Sequence, residues 1–277
     1  AGACYGVLSA FVKMAYAAGL TLTDVSGMQC LFGMAFLWLS ALFTVRRIPS
    51  PFQILSLMAI GIPMALTTIF YYHSLESLSA SLAVVFLFQS IWMGSAAESL
   101  IFRRLPERKQ VISIILCLTG TLLSAGLPEG ETHFSFSSGM VWGLLSALSY
   151  TTMMCASSLL GKGVPPALKG ALMSTGDTIL TFLLLPPVFL LDVSSWPVLL
   201  PYGLLLGIFG VALPPFLLAW GMPHVGPGLG TILAASELPV ALLMALLVLG
   251  ESITPLQWAG IVLIGLGIVF GKIKKGL

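Results

Sequence analysis

Long apolar runs separated by short breaks fill this chain from beginning to end. Each run is close to the roughly 20 residues that an α-helix needs to cross the hydrocarbon core of a bilayer. The breaks are rich in Gly, Pro and Ser, or are charged, as helix ends should be. The alternation of apolar and polar positions that marks a membrane β-barrel is absent. The pattern predicts an all-α membrane protein with ten transmembrane helices, at 1–19, 26–45, 51–73, 78–102, 109–127, 139–160, 167–191, 198–220, 226–249 and 255–272.

One part of this pattern occurs twice, with an offset of 147 residues. The segment 78–124 contains an apolar run with Gln89 near its centre, a charged turn and a second run with small residues. The segment 225–271 repeats that order, with Ser236 and Glu237 near the centre of its first run. A membrane protein built from two copies usually has its working site between them.

The longest break between apolar runs on the non-cytoplasmic side, at 128–138, divides the chain into two halves of five helices each. Because five is odd, the second half enters the membrane from the opposite face. The sequence therefore predicts two inverted five-helix repeats, at 1–127 and 139–277, joined by the loop 128–138.

Composition supports a membrane protein. Of the 277 residues, 58% are hydrophobic and only 8% are charged, and the mean hydropathy is +1.05, whereas soluble domains carry roughly 25% charged residues. The net charge of +2 gives no indication of nucleic-acid binding. The chain begins at Ala1 inside an apolar run, without methionine and without a cleavable signal peptide, which leaves open whether residues precede it.

The basic residues indicate the orientation of the helices. With ten helices and a cytoplasmic N-terminus, all but one of the 12 Lys and Arg residues fall on or next to one face, the positive-inside pattern. We therefore expect a multi-pass protein of the cell membrane with both termini cytoplasmic. The basic residues on that face are Arg46, Arg47, Arg103, Arg104, Arg108, Lys109, Lys162, Lys169, Lys272, Lys274 and Lys275.

Several short motifs, taken with the five-plus-five plan, resemble one transporter family. They are the Gly6…Lys13 start, the Glu237-x-Pro239 centre, and the Leu249-Gly250-Glu251 turn followed by Gln257 and Gly260. Over essentially the whole chain, this set resembles the EamA-like branch of the drug/metabolite transporter superfamily. The resemblance implies a ten-helix secondary transporter with a central cavity lined mainly by the first, third and fourth helices of each half. It does not name a solute.

Three charged side chains within the predicted helices are candidate solute-binding residues: Lys13, Asp177 and Glu237. A charge at mid-span costs about 2.5–3.5 kcal/mol on insertion scales, so the two acids should face the bundle interior or be protonated. They could bind an amine-bearing solute, carry a proton, or form a buried structural pair with Lys13. Pro239 should also free the carbonyl of Ala235 from its helical bond, and such an unwound backbone beside Glu237 could contact a solute.

Uncharged candidates surround these acids. Gln89 and Ser236 are equivalent mid-span residues that could line the cavity or only link helices. Trp92 lies one turn from Gln89, and Tyr150 aligns with Lys13 in the other half; such aromatic rings suit amphipathic solutes and cations. Other polar and aromatic residues have simpler predicted roles. Glu98 should reach the interface or pair with Arg103 and Arg104, Tyr71 and Tyr72 should be interface anchors, and His73 should be an isolated surface residue.

Small residues and prolines predict how the helices pack and bend. The stripe Gly267-x-x-x-Gly271 and its counterpart at Gly120 let helices approach closely, either within the fold or in a homodimer contact. Pro63, Pro186-Pro187 and Pro214-Pro215 should kink their helices.

The sequence therefore favours secondary transport of a small organic solute, amine-bearing or zwitterionic such as an amino acid, by export or exchange. The partners are this solute, the lipid bilayer and a coupling proton or other ion, with a homodimer left open. No nucleotide-binding loop, nucleophile motif, cofactor motif or metal spacing appears, and the four cysteines are scattered. The alternatives are a membrane enzyme acting on lipid and a non-transporting membrane scaffold.

Overall fold

The computed structural model describes residues 1–44, 49–75, 77–78, 80–125, 138–190, 196–250 and 252–272. Within these ranges the regular structure is entirely helical. The Arg46–Arg47 pair, Glu251 and nearly all of the predicted loop 128–138 lie outside the described residues. The α-helices are α1 (Gly2–Ala17), α2 (Leu22–Thr44), α3 (Pro51–Leu75), α4 (Ala80–Leu87), α5 (Ser90–Phe102), α6 (Arg108–Ser124), α7 (Ser138–Leu159), α8 (Pro166–Leu184), α9 (Trp196–Leu206), α10 (Leu213–Val225), α11 (Pro227–Ala234), α12 (Glu237–Leu249) and α13 (Pro255–Lys272).

Each of the ten predicted segments contains helix, with bounds within five residues of those expected except that α8 ends at Leu184 and not at 191. Two segments are interrupted near their middle, 78–102 between α4 and α5 and 226–249 between α11 and α12. Within the part of the chain that the structure describes, five helical stretches are long and apolar enough to cross a membrane, so the number of spans stays a prediction of ten. Those five are Leu22–Thr44, Pro51–Ser74, Leu82–Phe102, Trp196–Val225 and Pro227–Leu249.

The chain forms two compact units, and each is built from both halves of the sequence. The first unit contains residues 1–65 and 156–224, and the second contains residues 66–155 and 225–277. In the first unit, α2 packs against α8, α9 and a six-residue π-helical segment, Gly207–Ala212. In the second, α6 packs along α13, and α5 packs along α11.

Glycines bring α6 and α13 of the second unit into backbone contact. A Cβ atom at Gly120 would lie 2.8 Å from the carbonyl oxygen of Gly260, and one at Gly267 would lie 3.1 Å from that of Ser113. At the offset of 147 residues, Gly267 is equivalent to Gly120, and Gly260 is equivalent to Ser113. Each contact therefore joins one residue of the pair 113 and 120 to the copy of the other. The predicted role of this stripe, helix packing within the fold, is confirmed.

The prolines act in three different ways. Pro63 lies inside α3, as expected. Pro186 and Pro187 do not kink a helix, and that prediction is wrong: α8 ends at Leu184. A proline ring disfavours the helical conformation of the residue before it, and Leu185 accordingly leaves the helix with φ −122° and ψ 87°. Pro214 and Pro215 lie in the first turn of α10, directly after the π segment.

Two helices end in the same unusual backbone conformation. Arg103 caps α5 with φ 53°, and Gly250 caps α12 with φ 69°. This left-handed conformation suits glycine, and it carries a steric cost for a residue with a Cβ atom. The two caps stand 147 residues apart, so the first copy keeps the turn although it lacks the glycine.

Candidate functional site

Two helices of the second unit are interrupted at equivalent, polar positions. α4 ends at Leu87 and α5 begins at Ser90, while α11 ends at Ala234 and α12 begins at Glu237. At each break the backbone changes from i→i−4 to tighter i→i−3 hydrogen bonds. Gln89 N donates to the carbonyl of Phe86 at 3.1 Å, and Ser236 N donates to that of Leu233 at 3.2 Å. The two interruptions are therefore the same structural feature, repeated 147 residues later.

The tightened backbone also overturns one sequence prediction. The carbonyl of Ala235 is predicted to lose its helical partner because Pro239 has no N–H group. It accepts instead from the N–H group of Leu238, at 3.3 Å. The chain makes this shorter bond one residue before the proline, so the Ala235 carbonyl keeps a backbone partner.

Gln89 replaces a hydrogen bond that the break removes. Because the N–H group of Gln89 bonds to Phe86, the carbonyl of Val85 loses its usual i→i−4 donor. The side-chain amide of Gln89 donates to that carbonyl at 3.1 Å, and its Oε1 accepts from Trp92 Nε1 at 2.9 Å. The predicted pairing of Gln89 and Trp92 on one face is confirmed, but this amide already has partners on both atoms.

Glu237 is the charged residue at the second break. It is half-buried and is the first residue of α12. Tyr71 near the end of α3 lies close enough to Glu237 for the two side chains to influence each other's charged forms. Sequence reasoning misses this role and gives Tyr71 only an interface position. One signal could have pointed to a site near Tyr71. It lies on the third helix of the first half, which the family resemblance places around the cavity.

Aromatic residues continue from Tyr71 onto α7. The rings of Phe70 and Trp142 lie 5.5 Å apart, and those of His73 and Trp142 lie 5.2 Å apart. The hydroxyl of Ser146 on α7 also donates to the carbonyl of Thr67 on α3, at 2.9 Å. His73 is exposed, but it has a ring contact and is not the isolated surface residue expected.

The other predicted residues of this unit differ in exposure. Tyr150 on α7 is 8% exposed, while Trp92 is 44% exposed. Ser236 is half-buried at the second break. The second unit thus contains five of the seven candidate residues: Gln89, Trp92, Tyr150, Ser236 and Glu237.

The remaining two candidates, Lys13 and Asp177, lie in the first unit. Asp177 on α8 is 4% exposed, and Lys13 on α1 is exposed. Among the described residues, the thiol of Cys30 donates a hydrogen bond to the Asp177 carboxyl group, at 3.8 Å. The alternative of a buried pair between Lys13 and Asp177 is therefore not what the structure shows.

Two further charged residues have unexpected partners. The Glu98 carboxylate accepts from the backbone N–H group of Gly228 at 3.0 Å and from Gln110 Nε2 at 3.5 Å. It binds the N-terminus of α11, and the predicted pairing with Arg103 and Arg104 is not seen among the described residues. Lys169 is predicted to lie with the cytoplasmic basic residues, but its side chain is 1% exposed and donates to the carbonyl of Ser157.

A cavity of about 320 Å³ lies in the first unit. Its walls are apolar, and none of the seven candidate residues lines it. The lining residues come from α2, the connection before α3, the start of α3, and α8: Trp38, Ala41, Leu42, Pro49, Ile54, Leu168 and Leu172. Among the described residues, no group of three or more His, Cys, Asp or Glu side chains could hold a metal ion.

The comparisons with known proteins bear on both halves of the chain. Residues 1–126 and 137–271 each match the EamA-like transporter family. The chain belongs to the EamA-like transporter family. It is thus a multi-pass membrane protein, and the family points to a transporter rather than an enzyme.

A relative and a solved structure agree with this membership. The chain is 28% identical over 133 residues to the "Uncharacterized transporter YxxF" of Bacillus subtilis (strain 168). The matched residues make up 47% of this chain and 41% of that relative. The matched part thus spans less than half of the relative's length. A structure titled "Crystal structure of protein" has a TM-score of 0.77 and covers 98% of this chain and 94% of its own, at 17% identity. That likeness supports the fold.

Proposed function

We propose that this EamA-like protein is a secondary active transporter of a small organic solute, working by export or exchange. The observation that carries the proposal is the pair of polar helix breaks, at Gln89 and at Ser236–Glu237. Both lie inside helical stretches long enough to cross a membrane. In secondary transporters, interrupted helices with polar residues near the bilayer midplane typically form the solute site.

The solute is proposed to be amine-bearing or zwitterionic, such as an amino acid. Glu237 is a half-buried acid near Tyr71, and its carboxylate form would pair with an ammonium group. A charge at this depth costs about 2.5–3.5 kcal/mol, and a bound ammonium group would offset that cost. The Tyr71 ring can also hold a cation against its face. Lys13 remains a predicted solute-site residue of the first unit, whereas Asp177, the other residue predicted there, has the alternative role of carrying a proton.

The proposed mechanism is alternating access between two inverted repeats, 1–127 and 139–277. Support comes from features that recur at the same offset: the helix breaks and the left-handed caps. The contacts between α6 and α13 also exchange equivalent residues, with Gly120 against Gly260 and Gly267 against Ser113. A two-fold axis perpendicular to two antiparallel helices produces such reciprocal contacts. A duplicated module of this kind has two interchangeable conformations.

The proposed location is the cell membrane, with both termini in the cytoplasm. Support comes from the positive-inside pattern: Arg103, Arg104 and Arg108 are exposed at the α5–α6 turn, and Lys162 is exposed at the α7–α8 turn. At the C-terminus, a fused reporter that works only in the cytoplasm should be active, and one that works only outside the cytoplasm should be inactive. Activity of a periplasmic or extracellular reporter there would contradict this orientation.

Glu237→Gln tests the solute site most directly. Purified protein is first screened for thermal stabilisation by amino acids and primary amines, because a bound ligand stabilises by mass action. Losing a charge-assisted hydrogen bond, worth about 1.5–3 kcal/mol, should weaken binding of the best amine by about 10–100-fold. Solute exchange in proteoliposomes should fall with it.

The matched control is Glu98→Gln, because the amide oxygen of the substituted side chain could still accept from the N-terminus of α11. This variant should bind and exchange the amine as the wild type does. Unchanged exchange by the Glu237→Gln protein would remove Glu237 from the site. If the wild-type protein exchanges no solute but alters lipids, as seen by mass spectrometry, the enzyme alternative replaces the transporter.

A further inference from the structure

A carboxyl group of the first unit is enclosed between α2 and α8. Asp177 on α8 is 4% exposed, and Cys30 on α2 is 5% exposed. Cys30 Sγ lies 3.8 Å from Asp177 Oδ2 and donates to it. A thiol is only a weak hydrogen-bond donor, so it offers little compensation for a negative charge on the acid.

Helix α3 closes a further side of this enclosure. A Cβ atom at Gly61 of α3 would collide with the backbone N of Asp177, and one at Gly176 would collide with the carbonyl oxygen of Met58. The backbones of α3 and α8 are therefore in direct contact beside the acid. Pro63 interrupts the α3 hydrogen bonds within one turn of Gly61, which makes this a place where α3 can bend.

The packed elements offer Asp177 no cation. Among the described residues, Cys30 is the titratable group that faces it from α2, and neither 51–65 of α3 nor the π segment contains a titratable side chain. On α8 itself, Lys169 lies eight residues earlier and donates to the carbonyl of Ser157. An ionised carboxylate here would be a charge taken out of water without a counter-charge. In the closed enclosure, the neutral protonated form of Asp177 is therefore less costly than the carboxylate.

We propose that Asp177 carries the proton that is coupled to solute movement, and that the Cys30 thiol holds the neutral acid in place. The inference rests on the proposed transport function. When the packing of α2, α3 and α8 opens toward water, the carboxyl O–H bond breaks, the proton passes to water and the carboxylate remains. On the other side of the membrane the carboxylate takes a proton from water, and the enclosure closes over the neutral acid.

The first test measures the proton and needs no solute. Infrared spectra of the lipid-reconstituted protein at neutral pH should contain the carbonyl band of a protonated carboxyl group, and Asp177→Asn should remove it. Cys30→Ala should shift this band and remove one hydrogen-bonded S–H band. The control is Thr178→Val on the same helix, because its buried hydroxyl bonds within α8, to the carbonyl of Ser174 at 2.7 Å. If no band depends on Asp177, the proposal is overturned.

The second test separates coupling from transport. Proteoliposomes that contain a fluorescent pH indicator receive a mixture of the standard amino acids outside. In the wild type, solute movement should change the internal pH. Asp177→Asn should keep solute-for-solute exchange but lose both the pH change and accumulation driven by a pH gradient, while Thr178→Val should keep all three.

The outcomes distinguish the two proposals. Wild-type exchange without proton movement overturns the role of Asp177 and leaves the transport function standing. A wild-type protein that exchanges no solute overturns the transport function, even if the infrared band depends on Asp177. Equal loss of exchange and of coupled accumulation in Asp177→Asn, with the protein still folded, assigns Asp177 to solute binding and overturns the coupling role.

Discussion

The close packing of α6 against α13 predicts that two glycines on the same helix respond differently to one added methyl group. A Cβ atom at Gly267 would lie 2.6 Å from Cys117 Sγ and 3.1 Å from the Ser113 carbonyl oxygen, whereas a Cβ atom at Gly265 would meet nothing within 4 Å. Ordinary contact begins near 3.4 Å, so at Gly267 the sulfur is about 0.8 Å too close. The interface must open, or the sulfur must move.

Overpacking of a tight interior typically costs about 1–3 kcal/mol, so Gly267→Ala should destabilise the protein by that amount. Gly265→Ala should be neutral or stabilising by up to about 1 kcal/mol, because alanine is the better helix former. The assay is reversible unfolding in mixed micelles, followed by circular dichroism. Adding Cys117→Ala should restore part of the loss at Gly267 by removing the nearest atom.

Gly120→Ala tests whether the same interface is reciprocal. Its new Cβ atom would lie 2.8 Å from the Gly260 carbonyl oxygen and 2.7 Å from an Ile264 side-chain carbon. We expect a loss like that of Gly267→Ala, because the two glycines are equivalent. If Gly267→Ala and Gly265→Ala have equal free energies of unfolding, α6 and α13 do not pack closely at Gly267.

Two other contacts give predictions of stability. Gln89→Leu should cost about 1–3 kcal/mol in unfolding free energy, because it leaves the buried carbonyl of Val85 without a donor, whereas Ser236→Ala should cost less than about 0.5 kcal/mol in the same assay. Equal effects would mean that the Val85 carbonyl has another partner. Glu98→Leu should cost about 1 kcal/mol by leaving the backbone N–H group of Gly228 without its acceptor, and Glu98→Gln should restore most of that loss; a stable leucine variant would contradict the capping role.

The ten helical segments could be predicted because apolar length is a local property that hydropathy reads directly. The polar centres of two of these runs could also be predicted, and Pro239 indicated a change of backbone at the second. The helix break at Gln89 and the backbone geometry of both breaks could not. Whether Ala235 loses its partner at Pro239 depends on the turn that the chain adopts, and here Leu238 supplies a shorter bond.

The partners of the charged residues were harder to predict, because they lie far away in sequence. Glu98 bonds to Gly228, 130 residues later, and no local pattern indicates that contact. Tyr71 is predicted to be an interface anchor because it stands near a helix end, yet it lies near Glu237 of another helix. A single sequence gives helix positions, but it does not give the faces that meet.

The central claim is that the second helix break faces a water-accessible solute site. In a cysteine-free background, Ser236→Cys should react with a membrane-impermeant thiol reagent, and the amine found in the thermal screen should slow that reaction. The control is Leu247→Cys on the same membrane helix, because Leu247 is 77% exposed on an apolar surface and should react only with a lipid-soluble reagent. If Ser236→Cys also reacts only with the lipid-soluble reagent, the break faces acyl chains and the account is contradicted.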